Sequence, residues 1–94
     1  MKILANDGIS QSGISALENA GFEVLTTNVA QEQLVNYIND NEVIGLLVRS
    51  ATQVRKELID SCPGLKLIGR GGVGMDNIDV SYAREKGLHV INTP

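Results

Sequence analysis

Tryptophan is absent, and Phe22, Tyr37 and Tyr82 are the only phenyl or phenol rings, so little is available to sandwich a flavin. One cysteine, Cys62, excludes an internal disulfide. It precedes Pro63 beside a predicted helix end with nothing nearby to lower its pKa, which reads as a buried bystander thiol. The single histidine, His89, falls within an apolar run and reads as a structural side chain on one face of a strand. No cluster of His, Cys, Asp and Glu has metal-ligand spacing. No apolar run approaches the roughly 18 residues that cross a bilayer. The N-terminal residues 1–6 run straight into a strand-like pattern without the apolar stretch of a secretory signal. A folded cytoplasmic protein with no membrane partner is the expectation.

What is present suits one small domain. The 94 residues are 43% hydrophobic and contain no low-complexity tract, which argues against disorder. A chain of this length has room for one core and is expected to be marginally stable alone. Charge is uneven: residues 1–48 carry six acids and only Lys2 as a base, whereas residues 49–94 carry seven bases and five acids. The net charge of −3 and the lack of a basic stripe with interleaved aromatics give a nucleic-acid partner no support. A small anion suits the positive half better.

Short apolar runs alternate with helical patterns. Strands are expected at residues 2–5, 23–26, 43–48, 66–68 and 88–91, each rich in Ile, Leu or Val. The first helix should run from about Ser12 to Ala20 with Ile14 and Leu17 inward and Gly21 as a left-handed cap. Leu34, Val35 and Ile38 mark the second. Thr52 should cap the third, whose stripe is Val54, Leu58 and Ile59 and which must stop before Pro63-Gly64. Asp79 should cap the fourth, with Ile78 and Ala83 as a hydrophobic staple and Gly87 closing it. This alternation predicts an α/β fold: a flavodoxin-like open parallel five-stranded sheet of order 2-1-3-4-5 with helices on both faces. Ligands of such sheets bind beyond the carboxyl ends of the strands, here residues 6–10, 49–52 and 70–77.

Two of those loops begin with arginine. Arg49 and Arg70 are expected at the ends of adjacent strands, roughly 5 Å apart by strand spacing. Each could pair with a carboxylate such as Asp7 or Asp76, but two arginines flanking a glycine loop favour an anion held between them.

Two motifs resemble nucleotide sites without their context. Residues 69–74, Gly-Arg-Gly-Gly-Val-Gly, satisfy G-x-G-x-x-G, yet the fingerprint belongs to a first βα turn and wants an acidic residue about 20 positions later, where this sequence has Asn92. Residues 10–15, Ser-Gln-Ser-Gly-Ile-Ser, resemble a flavodoxin phosphate loop but lie several residues past the first strand and read as an ordinary helix start. A phosphoacceptor receiver would need aspartate at the end of the third strand, where Arg49 stands. The chain has binding groups without a reaction centre.

Residues 47–52 (Leu-Val-Arg-Ser-Ala-Thr), 67–79 (Leu-Ile-Gly-Arg-Gly-Gly-Val-Gly-Met-Asp-Asn-Ile-Asp) and 87–94 (Gly-Leu-His-Val-Ile-Asn-Thr-Pro) strongly resemble the N-terminal substrate domain of the D-2-hydroxyacid dehydrogenases. Within that family the resemblance is greatest to the branch acting on 3-phosphoglycerate. It implies an NAD-linked oxidation of that phosphorylated hydroxy acid to the keto acid at the start of serine synthesis. By the same resemblance Arg49 and Arg70 face the substrate's anionic groups, chiefly the phosphate, and Ser50 adds a hydroxyl. The backbone around Gly72, Val73 and Gly74 holds the carboxylate, and Val73 approaches the nicotinamide end of NAD. Asp76, Asn77 and Asp79 fix the loop ahead of the fourth helix.

In this family the chain passes from residues 92–94 into a nucleotide-binding domain. Residues 1–94 are therefore expected to be a fragment of the substrate-binding domain, inactive alone, with negligible NAD affinity and no catalytic residue of its own. The whole protein should be a homo-oligomer. Another D-2-hydroxyacid as substrate, a free-standing small-anion module, and a structural or interaction domain with exposed apolar surface remain as alternatives.

Overall fold

The computed structural model describes residues 1–49, 52–71 and 77–93. Five strands, β1 (Lys2–Ala5), β2 (Glu23–Leu25), β3 (Val43–Val48), β4 (Leu67–Gly71) and β5 (His89–Thr93), form one sheet of order β2-β1-β3-β4-β5. Every pairing is parallel, as the expected topology requires. The connections are α1 (Gln11–Asn19), a 3-10 turn at Gln31–Gln33 leading into α2 (Leu34–Asp40), α3 (Lys56–Ser61) and α4 (Val80–Glu85).

The period-two alternation of the strands divides the sheet into two unlike faces. Leu4, Leu46, Val48, Ile68 and Val90 point into the main core with Leu34 and Ile38 of α2, Leu58 and Ile59 of α3, and Ala83 of α4. The opposite face carries Ile3, Gly45, Leu47, Leu67, Gly69 and Ile91, and α1 lies on that side beside β2. None of α1's residues is buried; Ile14 and Leu17 are only half-buried. Ile91 remains 45% exposed, so the β3–β5 part of this face is open.

The helix ends follow local chemistry. Ser10 caps α1, its Oγ accepting the Gly13 N–H at 3.2 Å. After α4, Gly87 takes φ +87° and the Leu88 N–H reaches back to the Ala83 carbonyl at 3.0 Å, a left-handed cap that a residue with a Cβ adopts at a cost. Cys62 ends α3 and is buried, which raises its thiol pKa by desolvation. Among the described residues no helix is long and apolar enough to cross a membrane.

Three expectations need correction. α3 starts at Lys56, and Thr52 does not cap it. Val54 is instead held in a parallel bridge to Ile78, with the Val54 N–H on the Asn77 carbonyl at 2.8 Å and the Asp79 N–H on the Val54 carbonyl at 2.9 Å. That extended bridge delays the helix. Asp79 does occupy the α4 cap position, but its carboxylate makes no capping bond and pairs with Arg55 at 3.0 Å. Finally, β4 and β5 run farther than 66–68 and 88–91: Gly69, Arg70 and Gly71 pair with Ile91, Asn92 and Thr93. The first part of the glycine motif is therefore strand.

Candidate functional site

The carboxyl ends of β1, β3 and β4 are tied together by polar side chains. Asn6, just past β1, is buried. Its Nδ2 donates to the Val29 carbonyl at 3.1 Å and to Thr52 Oγ1 at 2.9 Å, and its Oδ1 accepts the Val29 N–H at 2.7 Å. Asp7 Oδ2 accepts the backbone N–H of Arg49 at 2.7 Å and of Thr52 at 3.1 Å, while Oδ1 accepts the Thr52 hydroxyl at 2.6 Å. A carboxylate holding two amides and a hydroxyl can fix both ends of residues 49–52 without touching a guanidinium.

Asn77 grips the same segment from the other side. It is buried, and its Nδ2 donates to the carbonyls of Arg49 and Thr52, each at 2.6 Å. Its Oδ1 accepts Arg70 Nε at 2.8 Å. One amide group therefore joins the segment bearing Arg49 to the strand bearing Arg70. Among the described residues no buried side-chain nitrogen or oxygen lacks a partner, so these bonds satisfy the groups they bury.

Arg49 and Arg70 both line a groove of about 680 Å³. Its floor is the open sheet face at Leu47, Leu67, Gly69 and Ile91, and its far wall is the start of α1, Ser10, Ser12 and Gly13. Mostly apolar walls with Arg49 and Arg70 among the lining residues suit a small anion with a short carbon body. Among the described residues no group of His, Cys, Asp and Glu could hold a metal ion.

Arg49 and Arg70 thus line one groove, with a change of register. Arg70 lies within β4 and pairs with Val48, so it sits diagonal to Arg49 rather than directly opposite. Asp7, considered as a partner for an arginine side chain, clamps the backbone of Arg49 instead. Ser50, Gly72, Val73, Gly74 and Asp76 lie outside the described residues. His89 begins β5, at the opposite end of the strand from the arginines, and is exposed. Asn77, expected to fix the loop ahead of the fourth helix, also reaches the Arg49 and Thr52 carbonyls; the part played by Asn6 and Thr52 was not expected, although an amide side chain immediately beyond a strand end, as at Asn6, is a signal for such a frame.

A side chain at Gly69 would have to displace its neighbours on the open sheet face. A Cβ there would stand 2.7 Å from Leu47 Cδ2 and 3.3 Å from Ile91 Cγ1. With Gly69 and Gly71 hydrogen-bonded into β4, these residues do not form the tight strand-to-helix turn on which a pyrophosphate rests.

Residues 3–94 match the sequence profile of the D-isomer specific 2-hydroxyacid dehydrogenase, catalytic domain. Over 94 residues the chain is 44% identical to a D-3-phosphoglycerate dehydrogenase of Methanocaldococcus jannaschii, covering all of this chain and 18% of that protein. It is 40% identical to the D-3-phosphoglycerate dehydrogenase of Archaeoglobus fulgidus, again over its full length and 18% of the relative. The chain therefore spans less than a fifth of the length of these relatives. Among solved structures, NAD⁺-bound 3-phosphoglycerate dehydrogenase of Entamoeba histolytica superposes with a TM-score of 0.79 at 29% identity, covering 100% of this chain and 33% of that one.

Proposed function

The chain belongs to the D-isomer specific 2-hydroxyacid dehydrogenase family, and from that membership we propose that it forms the N-terminal, substrate-binding part of an NAD-dependent D-3-phosphoglycerate dehydrogenase. The whole enzyme oxidises 3-phosphoglycerate to 3-phosphohydroxypyruvate, the entrance to serine synthesis, with NAD as the hydride acceptor. It works in the cytoplasm, where the unpaired Cys62 stays reduced, and as a homo-oligomer.

The observation that carries this reading is the opening of Arg49 and Arg70 onto one groove at the carboxyl ends of β3 and β4. A phosphate monoester carries about −1.5 to −2 charges at neutral pH, which a pair of guanidiniums can match and a single one cannot. In this reading both arginines bind the phosphate, and Ser50 adds a hydroxyl bond. The amides around Gly72, Val73 and Gly74 hold the carboxylate, and Val73 borders the nicotinamide. The described residues offer no pyrophosphate cradle, so binding of NAD is assigned to the nucleotide-binding part of the enzyme.

Titration of the isotope-labelled chain with 3-phosphoglycerate, followed by amide and arginine side-chain resonances, tests the proposal. Shifts should concentrate at Arg49, Thr52 and Arg70 and be weaker with glycerate, which lacks the phosphate. Equal responses to the two ligands, or shifts centred elsewhere, overturn it.

A further inference from the structure

We propose that Asn77 is a positioning residue that makes Arg49 and Arg70 act on one anion as a single unit; this rests on the functional reading above. Two segments must be held in register for a two-arginine grip: the backbone after β3, which aims Arg49, and the guanidinium of Arg70 on β4. Asn77 is buried between them and uses both ends of its amide, Nδ2 on the Arg49 and Thr52 carbonyls and Oδ1 on Arg70 Nε. A bond at Nε holds the guanidinium by its inner edge and fixes the plane in which the two outer nitrogens lie. Asp7 secures residues 49 and 52 from the β1 side but makes no such link to β4. Asn77 is therefore the described side chain whose bonds span both arginine-bearing segments.

The two ends of the amide can be separated. Asn77→Asp keeps an acceptor for Arg70 and loses both donors, setting an anionic oxygen against two carbonyls, so residues 49–52 shift while Arg70 stays held. Asn77→Ala removes both functions. Neither change touches the ligand directly, so each should act through the arginines, and the energetic coupling is the readout.

The experiment measures the dissociation constant for 3-phosphoglycerate by resonance titration, together with water exchange of the Arg70 Nε–H in the ligand-free chain. Asn77→Ala should weaken binding by about tenfold and speed Nε–H exchange, yet weaken it by less than about twofold once Arg70 is already alanine. Asn77→Asp should leave exchange slow, and its loss of affinity should vanish in an Arg49→Ala background. If the alanine variant fails to fold, the aspartate variant alone decides the matter. Losses that are the same in every background mean that Asn77 is only structural and overturn the inference alone. A wild-type chain with a protected Nε–H that does not distinguish 3-phosphoglycerate from glycerate overturns the functional reading, and this inference with it.

Discussion

Arg70 donates its Nε–H to Asn77 Oδ1 at 2.8 Å, across a sequence separation of seven residues that includes most of the glycine loop. The bond fastens the carboxyl end of β4 to the residue that precedes the Val54–Ile78 bridge. The arginine is thus anchored twice, by strand pairing with Val48 and Asn92 and by a buried amide. An arginine pre-positioned in this way loses less conformational freedom when an anion arrives than one on a free loop.

In the full-length dehydrogenase proposed above, Arg49→Ala or Arg70→Ala should each remove a charge-assisted contact worth about 1.5–3 kcal/mol, raising the KM for 3-phosphoglycerate roughly 10-fold to 150-fold. The affinity for NAD should barely change. Steady-state kinetics with each substrate varied in turn distinguishes this from a folding defect, which would weaken both equally.

The 94-residue chain by itself should neither bind NAD measurably nor reduce it. Gly69 and Gly71 are committed to strand pairing, and among the described residues the groove is lined by groups for holding an anion without an acid–base pair for taking the hydroxyl proton. Formation of NADH from 3-phosphoglycerate above the enzyme-free rate would show that this assignment of parts is mistaken.

The topology was legible in the sequence because each connection repeats one pattern, a brief Ile/Leu/Val run followed by an amphipathic helix, and this pattern leaves few arrangements of a parallel sheet. The Ser10 and Gly87 helix ends obeyed local rules and were also approachable. The start of α3 was not. A threonine followed by a helical stripe satisfies the capping rule, and only the tertiary bridge between Val54 and Ile78 draws those residues into an extended path. The same applies to β4, where Gly69, Arg70 and Gly71 have turn-like identities yet are drawn into the sheet by β5. The arginines could be found because each directly follows an apolar strand run and one opens a glycine-rich stretch. Their frame could not, since whether Asn6, Asp7, Thr52 and Asn77 meet depends on three strands aligning in space.

Gly87→Ala should destabilise the chain by about 1 kcal/mol, because the cost lies in the backbone at φ +87° and not in any clash. For a domain of this size that corresponds to a melting temperature lower by about 4–8 °C. Gly64→Ala, which also meets open space but without a positive φ, should be close to neutral. Calorimetric melting of the two variants side by side checks the difference.

Burial pushes the Cys62 thiol above its ordinary value of 9.0, which keeps it protonated and protected in the folded chain at neutral pH. A disulfide reagent should therefore modify it slowly in buffer and rapidly in denaturant. Because the folded value is the higher one, the thiol's contribution to stability is intact below the unfolded pKa and declines as the pH rises through the unfolded and then the folded value. Denaturation midpoints of the wild type and Cys62→Ala should consequently converge above about pH 9. A gap that is constant with pH would place the effect of Cys62 in packing alone.

The open face of the sheet makes the last expectation. Leu47 and Leu67 are half-buried, Ile91 is 45% exposed, and α1, beside β2, buries none of its own residues, so the β3–β5 part of this face is open. Apolar surface regains about 25 cal/mol per Å² when removed from water, which favours association through this face as concentration rises. Replacing the edge residue, Ile91→Asp, should suppress association by placing a carboxylate where a neighbour would pack, while leaving the opposite core of Leu46, Ile68 and Val90 intact. Sedimentation over a concentration series measures both forms. A wild-type chain that stays monomeric throughout, with a melting temperature independent of concentration, would mean that α1 and the sheet cover this face well enough alone.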